Sequence, residues 1–96
     1  MSEFKGTPGP WSRDGYEFFN SDGANIFDLT YGSHTGINED EANTNLIAAA
    51  PELLETCLRI QAHFRQAGVE SKAGSLNPIE DSAAQIDAVI LKALGQ

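Results

Sequence analysis

The sequence predicts a small α+β fold: a small antiparallel β-meander packed against a kinked helix and a C-terminal helix. Three observations carry this. Seven of the eight aromatic residues (Phe4, Trp11, Tyr16, Phe18, Phe19, Phe27, Tyr31) fall in the first 31 of 96 positions, interleaved with turn-forming residues. Leu and Ala concentrate after residue 37, with apolar residues at helical spacing. Strand-like and helix-like composition thus follow one another within a chain sized for a single domain. We read that domain as 1–96, with a β region at 6–31, a kinked helical segment at 38–67 and a C-terminal helix at 77–94.

Gly6-Thr7-Pro8-Gly9-Pro10 is irregular, because its prolines lack donors and its glycines favour turns. Trp11 begins a short strand. Asp14-Gly15 marks a hairpin turn, and Tyr16 to Phe19 has strand composition. Asn20-Ser21-Asp22-Gly23 is a second turn, and Asn25 to Tyr31 a further strand. There Phe27, Leu29 and Tyr31 alternate with Ile26, Asp28 and Thr30, so the first set is expected to face the core. A sheet this small needs a helix to pack on.

Gly32 to Ile37 reads as a loop. Asn38 is positioned to cap a helix, with Glu41 completing a capping box and Glu39, Asp40 and Glu41 on the dipole-favoured first turn. Leu46, Ala50, Leu53, Leu54, Cys57, Leu58, Ile60 and Phe64 mark its apolar stripe. Pro51 predicts a kink or break at Ala49–Ala50, and Gly68 a stop. Residues 68–76 read as a Gly/Ser linker. Asn77-Pro78-Ile79-Glu80 starts the last helix with a cap, a proline at its first position and a capping Glu. Ile79, Ala83, Ile86, Ile90, Ala93 and Leu94 form its stripe, expected to pack antiparallel on the first helix and closed by Gly95.

The charge balance restricts function. Six Lys+Arg against 14 Asp+Glu give a net charge of −8. Phosphate backbones are bound by clustered cations, and these six are scattered, so neither nucleic acid nor an anionic membrane is an expected partner. The longest apolar run, Leu46 to Pro51, is far short of the roughly 18 residues a bilayer span needs. A lone Cys57 makes no internal disulfide, which fits a reducing cytoplasm. No basic region leads into an apolar run and cleavage site, so no signal peptide is expected. A chain of this length has a thin stability margin, to which a dimer would add.

No chemistry-bearing constellation stands out. His34 sits in a loop between Ser33 and Thr35, and His63 on a helix. Cys57 and His63 are spaced to point to opposed helix faces, against a nucleophile pair, and Cys57 reads as a small buried hydrophobe. Neither paired-cysteine nor HExxH spacing exists, and the glycines fit no phosphate loop. We therefore expect no catalytic residues, no cofactor and no metal, and read the chain as not an enzyme. Candidate partner-binding residues are Glu39, Asp40 and Glu41, the densest acidic segment with Glu52 and Glu55 nearby, together with the aromatics Trp11 and Phe18. Phe18 and Phe19 are adjacent on a strand, so one of them must face solvent or a second surface.

Two stretches together resemble a family of short phage and prophage proteins: Thr7-Pro8-Gly9-Pro10-Trp11, and Glu41 to Glu55 reading EANTNLIAAAPELLE. Members typically start with a TPGPW-like segment and carry an EAN-x-x-LIAAAPELL helix. The resemblance spans roughly residues 6–65. It implies expression in an infected or lysogenic bacterium, hence the host cytoplasm, and carries over no catalytic residues. The three alanines Ala48 to Ala50 keep the helix thin for close approach, and Leu53-Leu54 are expected to fill the core. The function expected is that of a small acidic phage accessory protein binding a host or phage protein, for instance inhibiting a host defence such as CRISPR interference. The alternative is a structural or assembly homo-oligomer, with a homodimer as its simplest form.

Overall fold

A computed structural model describes residues 4–29 and 37–96. Thr30, Tyr31 and His34 lie outside the described residues. Strands β1 (Ser12–Asp14), β2 (Glu17–Phe19) and β3 (Asn25–Asp28) are followed by helices α1 (Ile37–Gln66) and α2 (Pro78–Ala93). The strands form an antiparallel meander in the order β1-β2-β3. This is the small α+β fold that the composition predicts. The chain divides into two compact units, one of Gly6–Leu53 and one of Leu54–Gln96 with Phe4 and Lys5.

In the unit Gly6–Leu53, turn chemistry sets the sheet. Asp14 pairs with Glu17 across a two-residue loop, Gly15-Tyr16. Gly15 takes φ 61°, and no described non-glycine residue has positive φ, so only the first loop position is left-handed. That is the hairpin turn matching strand twist with glycine first. Tyr16 therefore belongs to the turn, and β2 starts one residue later than its composition suggests. The next turn is tied by Asn20, whose Oδ1 accepts from the Asp22 and Ala24 N–H groups at 2.9 Å each.

Phe18 stands opposite Arg13 on β1 and Phe27 on β3. It is fully buried, the largest such side chain among the described residues. Its ring stacks on Phe27 at 4.6 Å, and Trp11 meets Phe27 edge-on at 5.8 Å. The register shifts by one between Phe18↔Phe27 and Phe19↔Asn25, so Ile26 is the extra residue of a β-bulge. Strict alternation fails there, and the neighbours Ile26 and Phe27 are both half-buried.

The segment before the sheet is shaped against α1. The Trp11 indole N–H donates to the Thr7 carbonyl at 3.0 Å, closing the proline-glycine loop. A Cβ placed on Gly9 would lie 2.5 Å from the Pro51 Cβ and 3.3 Å from its Cγ. Only glycine lets the loop approach the ring this closely. The two stretches that carry the family resemblance thus touch each other.

Helix α1 runs unbroken through Pro51, and the break expected at Ala49–Ala50 does not occur. A helical proline removes one backbone hydrogen bond. Here its ring is seated against Gly9, and that packing offsets the loss. In this unit the covered positions of α1 are Asp40, Thr44, Ile47, Ala48, Ala49 and Pro51. Leu46 and Leu53 point outward, 62% and 49% exposed, and Ala50 is exposed too. The expectation that Leu53 fills the core is corrected: the covered side of the helix is the proline side, where Gly9 lies. Thr44 is buried because its hydroxyl donates to the Asp40 carbonyl, leaving no polar group unpaired.

In the unit Leu54–Gln96, the covered positions of α1 are Leu54, Cys57, Leu58, Gln61 and Phe64. Those of α2 centre on Ala83 and Ile90, both buried, with Ile86 and Leu94 half-buried. Ile79, at 52% exposure, and Ala93 lie off that stripe. Both helices end as their glycines imply. Val69 N–H reaches the Phe64 carbonyl and Gly68 N–H that of Arg65; Gln96 and Gly95 repeat this on Leu91 and Lys92. Each is a paired six-to-one and five-to-two closure with a left-handed glycine.

Residues 68–76 are not a free linker, because α2 holds them. Lys72 N–H donates to the Glu80 carbonyl, and Gly74 N–H to Asp81 Oδ1. The α2 cap also differs from a simple box. Asn77 Oδ1 accepts from Ile79 N–H at 3.0 Å, as expected. Glu80, however, accepts from the Ser75 hydroxyl, which in turn accepts from the Asn77 N–H. A serine oxygen is relayed into the link.

Asp87 joins three elements of this unit. Its Oδ1 accepts from Gln61 Nε2 at 2.7 Å and its Oδ2 from the Ser71 hydroxyl. These two bonds, Gln61 first and then Ser71, hold the Asp87 carboxyl below its ordinary range, against a smaller opposing effect of burial. A depressed carboxyl pKa stabilises the fold above the unfolded value of about 4 and loses that contribution as pH falls through the folded value. Asp87→Asn is therefore expected to flatten the fall of the thermal midpoint between about pH 5 and pH 2, as read by circular dichroism melts. Gly9→Ala is expected to cost about 1–3 kcal/mol through overpacking, and Phe18→Ala about 3–5 kcal/mol. Urea unfolding checks both, and a neutral Gly9→Ala contradicts the close seat on Pro51.

Candidate functional site

The acidic start of α1 is fixed to the sheet by one cation. Arg13 lies on the central position of β1, and its half-buried guanidinium reaches α1. Nε and Nη2 both donate to Asn45 Oδ1, at 3.1 and 2.8 Å. Nη2 also donates to Glu41 Oε1 at 3.2 Å, and Nη1 to the Gly15 carbonyl at 3.0 Å. The planar fork of arginine suits this bridging. It ties the β1–β2 turn and the second and third turns of α1 to one side chain.

Helix α1 begins at Ile37, so Asn38 lies inside the helix rather than at its cap. Glu41 is engaged by Arg13 instead of reaching back to a cap N–H. Glu39 is exposed and Asp40 half-buried, both in the first turn where the helix dipole favours carboxylates. Glu41 is also exposed apart from its ion pair. Trp11 is half-buried, with its indole N–H committed to Thr7.

Phe18 does not belong to any surface. It is fully buried between Arg13 and Phe27, so its expected place among partner-binding residues is corrected: it is the anchor of the sheet. Its neighbour Phe19 is half-buried. The bulge lets the strand carry adjacent aromatics without exposing either fully. Residue-type reasoning missed Arg13 and Asn45. A signal was present, since Arg13 is the single Lys or Arg between Lys5 and Arg59 in a strongly acidic chain.

His63 is exposed and Cys57 half-buried in α1. Among the described residues no group of three or more His, Cys, Asp or Glu gathers as a metal-holding set. No described helix is long and apolar enough to cross a membrane.

The class that fold and sequence define is a small acidic α+β protein of phage type, built on a three-stranded meander and a long helix. A family model described as Salmonella phage P22 protein Y8K6 matches residues 1–96, and the chain belongs to that family. No curated protein and no solved structure matches it.

Arg13→Ala is expected to destabilise the protein by about 1 kcal/mol, because the pair is partly exposed and only its fork is ordered. Arg13→Lys is expected to restore less than half of that, since an ammonium cannot bridge Asn45 and Glu41 together. Urea titrations of the three proteins read the difference.

Proposed function

We propose that this chain is a non-catalytic phage accessory protein that acts by binding another protein in the cytoplasm of the host bacterium. The observation that carries the reading is the acidic start of α1: Glu39 and Asp40 stand in the first turn, and Glu41 is pinned beside them by Arg13. Glu41 is held by a strand–helix bridge, so a partner meets that carboxylate with little further loss of side-chain freedom. Its complement is a basic protein patch, toward which a chain of net charge −8 is steered over long range.

The more specific form of this reading is inhibition of a host defence such as CRISPR interference. Membership of a phage protein family and the acidity support it, because nucleic-acid-handling defence proteins expose basic grooves. Capture from host lysate on the immobilised chain, compared with the Glu39→Lys/Asp40→Lys/Glu41→Lys variant, tests the surface. A partner retained by the wild-type chain and lost by the variant is the expected result. A partner held equally by both places binding elsewhere. An interference assay with the chain expressed in the host tests the specific form: restored plaque formation is expected, and unchanged immunity rejects it.

A further inference from the structure

We propose that the cavity between the last turns of α1 and helix α2 binds a free α-amino acid with an aliphatic side chain, its carboxylate on Arg65, its ammonium on Asp87 and its side chain on the leucines of α2. The cavity measures about 280 Å³ and lies wholly within the unit Leu54–Gln96. Small-molecule pockets run from roughly 300 Å³ upward, so this one has room for a single residue-sized molecule. Its lining is of two kinds. Ile90, Leu91 and Leu94 of α2 give an apolar floor, in which Ile90 is buried and Leu91 is 48% exposed. Arg65 of α1 and Asp87 of α2 supply one charge of each sign to the same space. An apolar surface with a few placed polar groups is the ordinary make-up of a small-molecule site.

The two charges share the cavity without closing on each other. Arg65 forms no hydrogen bond or ion pair with any described residue, so the donors of its guanidinium are unspent. Its charge nevertheless reaches Asp87. The Asp87 carboxyl lies below its ordinary range through the Gln61 bond, then that of Ser71, and in smaller part through Arg65. Asp87 also keeps room for a donor. A carboxylate offers about four acceptor positions, and Gln61 and Ser71 take one on each oxygen. Those same bonds fix its orientation, so the acceptor is set before a ligand arrives. Complementarity then selects the ligand. A simple carboxylate would match Arg65 but meet Asp87, and a chain of net charge −8 does not draw anions in. A simple amine would match Asp87 but meet Arg65. A molecule with both charges on one carbon and an aliphatic arm satisfies every part of the lining and is neutral overall. A peptide holds its charged ends apart and presents only one of them. This site is independent of the acidic start of α1 proposed above as a protein-binding surface, and either can fail without the other.

Nitrogen–proton correlation spectra of the full chain, titrated with L-leucine, test the site. An open site for so small a ligand binds with a dissociation constant on the order of 1 mM, so the titration runs to about 20 mM. Saturable shifts confined to Gln61, Arg65, Asp87 and residues 90–94 are expected. N-acetyl-leucine keeps the carboxylate alone and stands for the C-terminus of a peptide; leucinamide keeps the ammonium alone and stands for an N-terminus. Each is expected to bind about tenfold more weakly than leucine. Arg65→Gln and Leu91→Glu are expected to lose leucine to a similar degree, with unchanged far-ultraviolet circular dichroism because both positions are exposed. No saturable shift with L-leucine, equal binding of either blocked analogue, or binding unaffected by either substitution each overturns the proposal.

Discussion

The contact of Gly9 with Pro51 is the constraint around which the unit Gly6–Leu53 is arranged. The loop backbone lies where any side chain on Gly9 would collide with the proline ring. That contact gives the ring a packing role that offsets its missing hydrogen bond, so α1 continues through it. It also places Trp11, closed onto Thr7, beside the sheet, where it meets Phe27 and through it the buried Phe18. Arg13 adds a polar tie from β1 to the third turn of α1. A proline inside a helix and a glycine between two prolines look like separate breaks when read alone. Together they are the two halves of one close approach.

The unit Leu54–Gln96 is tied by side-chain hydrogen bonds as well as by apolar packing. Gln61 is buried, and its amide is satisfied by the Asp87 carboxylate. Ser71, Gly74 and Lys72 fix the connecting segment onto α2 through Asp87, Asp81 and the Glu80 carbonyl. Each bond is modest by itself, about 1 kcal/mol net. Their concentration at the start of α2 and around Asp87 orders a segment that a Gly/Ser-rich composition would otherwise leave loose. The same acids that give the chain its charge are here used as acceptors for the backbone and for neutral side chains.

The surface follows from this arrangement. Because the proline side of α1 is the covered one, Leu46 and Leu53 of the same helix are left outside, and Glu41 stands beside a single arginine. Belonging to the Salmonella phage P22 protein Y8K6 family sets the biological frame. Within it, the acidic start of α1 and the exposed leucines of the same helix are two surfaces of different chemistry.

Residue order alone determined the succession of strands and helices, both turns of the meander, the proline-led start of α2 and the glycine closures of both helices. These depend on interactions within a few residues: backbone freedom, capping geometry and periodicity. The acidic segment of the candidate site was equally legible, being contiguous. What only the tertiary structure decided was which face of α1 is covered, and with it the burial of Phe18 and Thr44, the exposure of Leu46 and Leu53, the survival of the helix at Pro51 and the role of Arg13. A helix with apolar residues on more than one side offers several faces to a sheet, and periodicity cannot rank them. The choice was made by a glycine more than forty residues away, whose absent side chain left room for the proline and for nothing larger.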